Sequence, residues 1–515
     1  MNTVEIMRET LPALNVERVP SQRTISRSSH LCRYINMLQA VEFFENSSVL
    51  GLCFDGTVKK KENITAVIFV NELQQSMAVH VGLSVYQDSE AIALDIQAGL
   101  DKLGMSAFQA GLLKDEVNSF AWTQRQMSKL KTILTDSCPS AKKSARELKE
   151  ILPEFFEFEN EIVLLDCSLH LIMNYEKQCY RSLCPEPFQA LTLLSTLFSG
   201  QTQIRTAWCS KYPELSNCFQ RTVGVRFSQT SSNALQLIRH WDIILQFLET
   251  HAVCDAQVFT LLGLLKGQQN LIFSEVLALS SIWYALVEPA WNRLQVQDLF
   301  DAVSTCDDLI TFSNKLVTSS DPGAELFSPS ENKFIRLDPD SSAVVFGKAS
   351  ELSASFDSYL YTDIYYRRAL QDMARNGAKY VHNLRKTWDM DNLSSLRSGL
   401  TLSNQRNESF FAVLDMMLRN HQSKTIASRL EVAKSKFNGA FEFLMNKGYD
   451  NAVKIIAQAQ KHRPTLANLS NDVDSAAKTE RLEKESFFQE QVSKFQSMSL
   501  EIFSHLQTDF IIFEG

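Results

Sequence analysis

The sequence predicts an α/β protein, helix-rich overall, in which a mixed sheet is interrupted by a large all-α insertion. Three observations carry this. Strand signals follow one another without a break between Val49 and Val85, helical periodicity takes over from Pro187 to about Ser395, and two amphipathic helices return after it. At 515 residues the chain is long enough for two or three domains, or for one core carrying a large insertion. Apolar and charged fractions of 45% and 21% are those of an ordinary globular protein, and the net charge of −8 argues against a generally basic coat for nucleic acid while leaving room for a local basic groove.

Taken in order, residues 1–30 are polar, with Arg18, Arg23 and Arg27 among serines and threonines, and read as a flexible N-terminal arm. A helix is expected from His30 to Phe44, where Leu31, Ile35, Leu38 and Val41 share a face. Val49–Phe54 and Ile64–Val70 are continuous apolar runs, and Met77–Val85 alternates so that Met77, Val79, Val81, Leu83 and Val85 line one side. The connections "GTVKKKEN" and "NELQQS" are short and polar, which suits an antiparallel meander. A helix over Asp88–Leu103 follows, then a weak strand at Ser119–Trp122, a basic helix at Arg125–Leu134 and a strand at Glu161–Leu165.

The resulting order, β-β-β-α-β-α-β, is a three-stranded meander followed by two crossover strands, with helices on both faces of a mixed sheet. This is the order of the RNase H-like fold, which carries its first catalytic acid on the first strand, where Asp55 stands. Within the helical block the expected helices are Gln189–Phe198, Ser231–Glu249, Gln257–Leu265, Leu271–Leu286 and Tyr359–Trp388, broken by a Ser-, Pro- and Asp-rich tract, Ser319–Ala343. Glu408–Arg419 and Ile426–Asn446 then return, and an amphipathic tail helix runs to about Leu506. The organisation read from the sequence is therefore an arm (1–30), a first part of the sheet core (31–186), a helical insertion (187–395), C-terminal core helices (396–465) and a tail (466–515).

Met1–Ala13 carries acids and no long apolar core, so it is not a secretory signal, and no stretch approaches eighteen uninterrupted apolar residues. The expected setting is nuclear or cytoplasmic, with no membrane partner. The ten cysteines are expected there as reduced thiols, and the spacings of Cys179/Cys184 and Cys209/Cys218 are not those of a tight zinc module.

Four stretches, "LGLCFDGTV", "CSLHLIMNYEKQ", "VGVRFSQTSSNALQLI" and "SNQRNESFFAVLD", lie in order over most of Ser29–Gln460. Together they resemble the hAT superfamily of cut-and-paste DNA transposases and the transposase-derived cellular proteins descended from it. The resemblance implies an RNase H-like core split by a helical insertion, and a triad of two aspartates and one glutamate that binds Mg²⁺ or Mn²⁺. It implies that Asp55 is the first aspartate and Glu408 the glutamate, both metal ligands. It further implies that Cys167 and His170 form the Cys-x-x-His element near DNA, and that Arg226 and Phe227 are the pair opening the DNA-facing part of the insertion.

Two departures stand against this. The family places its second aspartate at the end of the fourth strand, and here that stretch reads "NSFAWTQRQMSK", with Trp122 or Thr123 at the acid's place. Asp115 and Glu116 precede the expected strand, and Asp136 follows the expected helix, so none substitutes. No Cys₂His₂-type finger precedes the core. The expectation is a transposase-derived protein that keeps the fold and binds DNA or protein without nuclease activity. An active metal-dependent transposase is the alternative, and a non-catalytic interaction scaffold is a third reading.

Blander readings accompany each residue. Asp55-Gly56 is a strong hairpin-turn dipeptide, Glu408 fits as a first-turn acid favoured by the helix dipole, and Cys167 and His170 fit as a buried thiol and a core imidazole. Lys59–Lys61 fits a solvated hairpin tip. The tail stripe Phe488, Val492, Phe495, Ile502 and Leu506 either docks on its own domain or forms a self-association seam.

Overall fold

A computed structural model describes residues 22–464, apart from 60–61, 85–88, 114–117, 137, 201, 222–227, 254, 296–298, 337–363, 387–399, 401–404 and 421–425. The protein is helix-rich with a small mixed sheet, and the chain divides into two compact units: Met1–Leu164 with Asn404–Gly515, and Leu165–Ser403. The first division falls inside a strand.

The sheet unit begins with helix α1 (Gln22–Asn46), which starts eight residues earlier than the apolar periodicity suggests. Strands β1 (Leu50–Lys59), β2 (Glu62–Asn71) and β3 (Ser76–Ser84) form the expected antiparallel meander. Helices α2 (Ser89–Gln109) and α3 (Ser119–Met127) lead to β4 (Leu130–Thr135), then α4 (Pro139–Phe155) and β5 (Val163–Asp166). The strand order is β3-β2-β1-β4-β5, with β4 parallel to β1.

Three expectations are corrected. Ser119–Trp122 is the start of a helix, whose first turn is capped by the Asn118 side chain accepting from the Ala121 N–H at 2.7 Å. The fourth strand begins eleven residues later, at Leu130, within the stretch expected as the basic helix Arg125–Leu134. Trp122 does not end a strand: its Nε1 donates to Glu45 Oε1 at 2.7 Å and its ring packs edge-on against Phe44. The third correction concerns β3. A bulge at Val79, between the pairs Val67↔His80 and Ile68↔Ala78, breaks the alternation, so Val81 packs on the opposite face from Met77 and Val79.

Both sheet faces are covered. Leu50, Leu52, Phe54, Val67 and Phe69 meet α1, α2, α3 and α4 on one side. The other side presents Ile64, Ala66, Ile68 and Ala78 to two C-terminal helices.

The helical unit contains α5 (Ser168–Arg181), α6 (Pro185–Ser199), α7 (Gln203–Lys211), α8 (Ser228–Arg239), α9 (Trp241–His251), α10 (Ala256–Gly267) and α11 (Gln269–Ile282). A π-turn (Trp283–Val287) joins α11 to α12 (Glu288–Leu294), followed by α13 (Leu299–Thr318), the short α14 (Pro322–Phe327) and α15 (Lys333–Arg336), and α16 (Ile364–Arg385). The run Gln269–Leu294 is long and apolar enough to cross a membrane by length and composition, yet most of it is buried among these helices. The helix expected over Ser231–Glu249 is two, broken at His240, and the Ser-, Pro- and Asp-rich tract contains α14 and α15.

The chain then returns to the sheet unit with α17 (Gln405–Asn420), α18 (Ile426–Phe437), α19 (Ala440–Asn446) and α20 (Tyr449–Lys461). Gly439, at φ +63°, separates α18 from α19, where the sequence reads as one helix. On α17 the buried stripe is Asn407, Phe410, Phe411 and Leu414, spaced to lie on one face, and it covers β1 and β2. Each such apolar side chain contributes about 1.5–3 kcal/mol by leaving water.

Candidate acid site on β1 and beyond β4

Asp55 lies inside β1, paired with Ala66 of β2, and β1 continues to Lys59. The Asp-Gly dipeptide is therefore not the hairpin turn, because the β-branched Thr57 and Val58 extend the ladder beyond it. Asp55 is half-buried, and its Oδ1 accepts the Gly56 N–H at 2.7 Å. Alternation fixes its side. Leu50, Leu52 and Phe54 point to the α1–α4 face, so Asp55, like its partner Ala66, points to the face covered by α17.

The parallel register brings in a second acid. Cys53 of β1 pairs with Leu134 of β4, and Leu52 with Ile133. Asp136 stands two residues beyond Leu134, as Asp55 stands two beyond Cys53, on strands that run about 4.8 Å apart. The paired register ends at Cys53 and Leu134, and continued by two residues it sets the backbone of Asp55 level with that of Asp136. Asp136 is half-buried, and its Oδ1 accepts the Cys138 N–H at 2.8 Å, turning the chain into α4. Asp136 thus directly follows the fourth strand, whereas Trp122 and Thr123 lie in the helix before it.

Glu408 sits in the first turn of α17, in the same unit as both aspartates and on the helix that covers β1 and β2. Its side chain is exposed, because the buried stripe runs through Asn407 one position before it. Among the described residues no group of three or more His, Cys, Asp or Glu side chains is placed to hold a metal ion. Asp55 and Asp136 therefore belong to neighbouring parallel segments, and α17 carries Glu408 over the same sheet with its side chain turned to solvent.

The other residues singled out from the sequence lie elsewhere. Cys167 is the buried N-cap residue of α5, and His170 is half-buried one turn inside that helix, both in the helical unit. Arg226 and Phe227 fall outside the described residues, as do Lys60, Lys61 and the tail stripe Phe488–Leu506, while Lys59 pairs with Glu62 at the end of β1. The signal that locates Asp136 is the apolar, β-branched run "TILT" closed by Asp, Ser and Pro, a strand followed by turn residues.

No protein-family model and no curated protein matches the chain.

Proposed function

We propose that this chain is a transposase-derived, DNA-binding protein with an RNase H-like core that holds a divalent cation through Asp55 and Asp136. The strand order β3-β2-β1-β4-β5, with an antiparallel meander and a parallel β4, supports that core. The observation that carries the reading is the parallel register of β1 and β4, which, continued two residues past Cys53 and Leu134, brings Asp55 level with Asp136.

The donor set fits the ion. Mg²⁺ and Mn²⁺ favour hard oxygen ligands, and Mg²⁺ is commonly held by one or two carboxylates, with waters and substrate phosphates completing its shell. When bound, such an ion polarises a phosphoryl oxygen and lowers the pKa of its water. The chain's own part is to keep both carboxylates on ordered backbone, Asp55 within a ladder and Asp136 in an Asx turn.

An active, strand-cutting transposase is the second reading. What favours it is that α17 carries Glu408 back over the sheet that holds Asp55. The exposed Glu408 side chain favours the first reading.

The test is Mn²⁺ titration by calorimetry together with a duplex-cleavage assay in Mg²⁺ and Mn²⁺. One ion per chain is expected, with affinity reduced about 10- to 100-fold in Asp55→Asn and in Asp136→Asn. Unchanged Mn²⁺ affinity in both variants defeats the metal site. Nicking lost in Asp55→Ala and Glu408→Ala alike replaces the first reading with the second.

A further inference from the structure

We propose that the exposed face of α16 is a phosphate-backbone docking ridge for duplex DNA, a surface in the helical unit that rests on the DNA-binding reading of the chain. The helix carries five Arg or Lys residues against one Asp, in a chain whose net charge is −8. Arg375, Lys379, His382 and Lys386 recur at spacings of four, three and four, which puts them on one face, and all four are exposed. Leu370, Met373, Ala374, Gly377 and Val381 form the opposite, buried side.

The ridge is held firmly. A Cβ at Gly377 would come within 2.6 Å of the Tyr175 ring, so α16 lies directly against α5. Tyr175 in turn hydrogen-bonds Ser313 of α13 at 2.8 Å, and Asn376 Nδ2 donates to Ser182 Oγ at 2.8 Å. A rigid base matters because ordering long side chains on a mobile segment would cost binding energy.

The charges are also unequally committed. Arg385 is held at the flank by Asp307 at 2.9 Å, and Asp372 engages Arg375 and, at 3.8 Å, Arg368. Lys379, His382 and Lys386 make no ion pair among the described residues. From Arg375 to Lys386 the helix rises about 16 Å, roughly half a turn of duplex DNA. A line of cations this long matches a phosphate strand better than it matches a single small anion. The end of α5 bearing His170 lies beside the same half of α16, since Asp166, just before α5, raises the phenol of Tyr380, which burial raises first.

The test is fluorescence anisotropy of a labelled mixed-sequence duplex of about 20 base pairs, with the full chain, across a salt series. Arg375→Glu/Lys379→Glu/Lys386→Glu is expected to weaken binding at least tenfold at low salt. It should also lower the log–log salt slope by about one for each phosphate that the ridge no longer neutralises. Lys266→Glu, on α10 of the same unit and paired there with Glu249, is expected to leave both unchanged. Lys379→Arg/Lys386→Arg should bind as the unmodified chain, and a thermal midpoint shared with it shows that the triple variant folds. The triple variant should keep the Mn²⁺ affinity of the unmodified chain, which Asp55→Asn/Asp136→Asn loses, so a failed metal site and a failed ridge give different patterns. Binding by the triple variant within twofold of the unmodified chain overturns the ridge. So does the absence of duplex binding by the unmodified chain, or tighter binding to phosphatidylserine vesicles than to duplex.

Discussion

Glu431 in the sheet unit and Glu176 in the helical unit are both almost excluded from water, yet their surroundings treat them in opposite ways. Burial alone would raise the Glu431 carboxyl. Lys434 and Arg33, with hydrogen bonds from Lys434 and Asn36, outweigh that and hold it at about 2. Arg33 Nε donates to Oε1 at 3.3 Å and Asn36 Nδ2 to Oε2 at 3.1 Å, so the anion ties α1 to α18 across almost 400 residues of chain. Glu176 meets no cation among the described residues. Burial pushes it up to about 8, only partly opposed by the Ser231 hydroxyl that donates to Oε1 at 2.5 Å. Its Oε2 is buried without a hydrogen-bond partner among the described residues. One unit uses a buried acid as an ionic clasp between distant segments; the other keeps one as a neutral core residue whose ionisation the fold opposes.

The largest expected effect follows from Glu176. Its folded pKa lies above the unfolded value of 4.5, so the folded state keeps a proton that the unfolded chain releases between those two values. Stability contributed at this site is therefore greatest below about pH 4.5, falls as pH rises to about 8 and is flat beyond. The fall is on the order of 5 kcal/mol. Thermal midpoints of the unmodified chain and Glu176→Gln, measured from pH 5 to 8.5, should diverge in favour of the variant as pH rises. Parallel profiles would erase the contrast between the two glutamates.

Glu431 shows the opposite sign. Its folded pKa is depressed, so the clasp is fully present above about pH 4.5 and is lost as pH falls toward about 2. Glu431→Ala leaves Arg33 and Lys434 facing a buried void, with an expected loss of about 3–5 kcal/mol at pH 7. Urea unfolding at pH 7 measures it, and a loss below 1 kcal/mol would mean that the clasp is incidental to α1 docking.

Two glycines sharpen the contrast at lower energies. Gly377 serves close approach, so Gly377→Ala drives a methyl group into the Tyr175 ring and should cost about 1–3 kcal/mol by overpacking α16 against α5. Gly439 serves conformation instead: at φ +63° a Cβ costs about 1–2 kcal/mol, although its nearest neighbour, Glu442 Oε2, would be a tolerable 3.3 Å away. Gly377→Ala/Tyr175→Phe should not recover the loss, because the hydroxyl is not the clashing group. Gly439→Asn should lose less than Gly439→Ala, since Asn tolerates the left-handed region. Unfolding midpoints of the four variants check both assignments.

The sequence by itself determined the meander, since runs of β-branched and aromatic residues separated by short polar turns leave little alternative over residues 49–84. It likewise determined α17, where Phe410, Phe411 and Leu414 recur at helical spacing, and so placed Asp55 on the first strand and Glu408 in a first helical turn. The tertiary structure decided the stretch from Ser119 to Asp136. Met127, Leu130 and Leu134 fit a helical stripe as well as Leu130–Thr135 fits a buried strand, and a short apolar run buried on both faces carries no period to separate the two. What selects the strand is its parallel partner β1, some eighty residues earlier, whose free edge it satisfies. The same pairing moves the fourth strand's end from Trp122 to Thr135, and the bulge at Val79 turns Val81 from one sheet face to the other. Both are decisions of register, set by hydrogen bonds between segments distant in sequence or by one unpaired residue, to which local composition is blind.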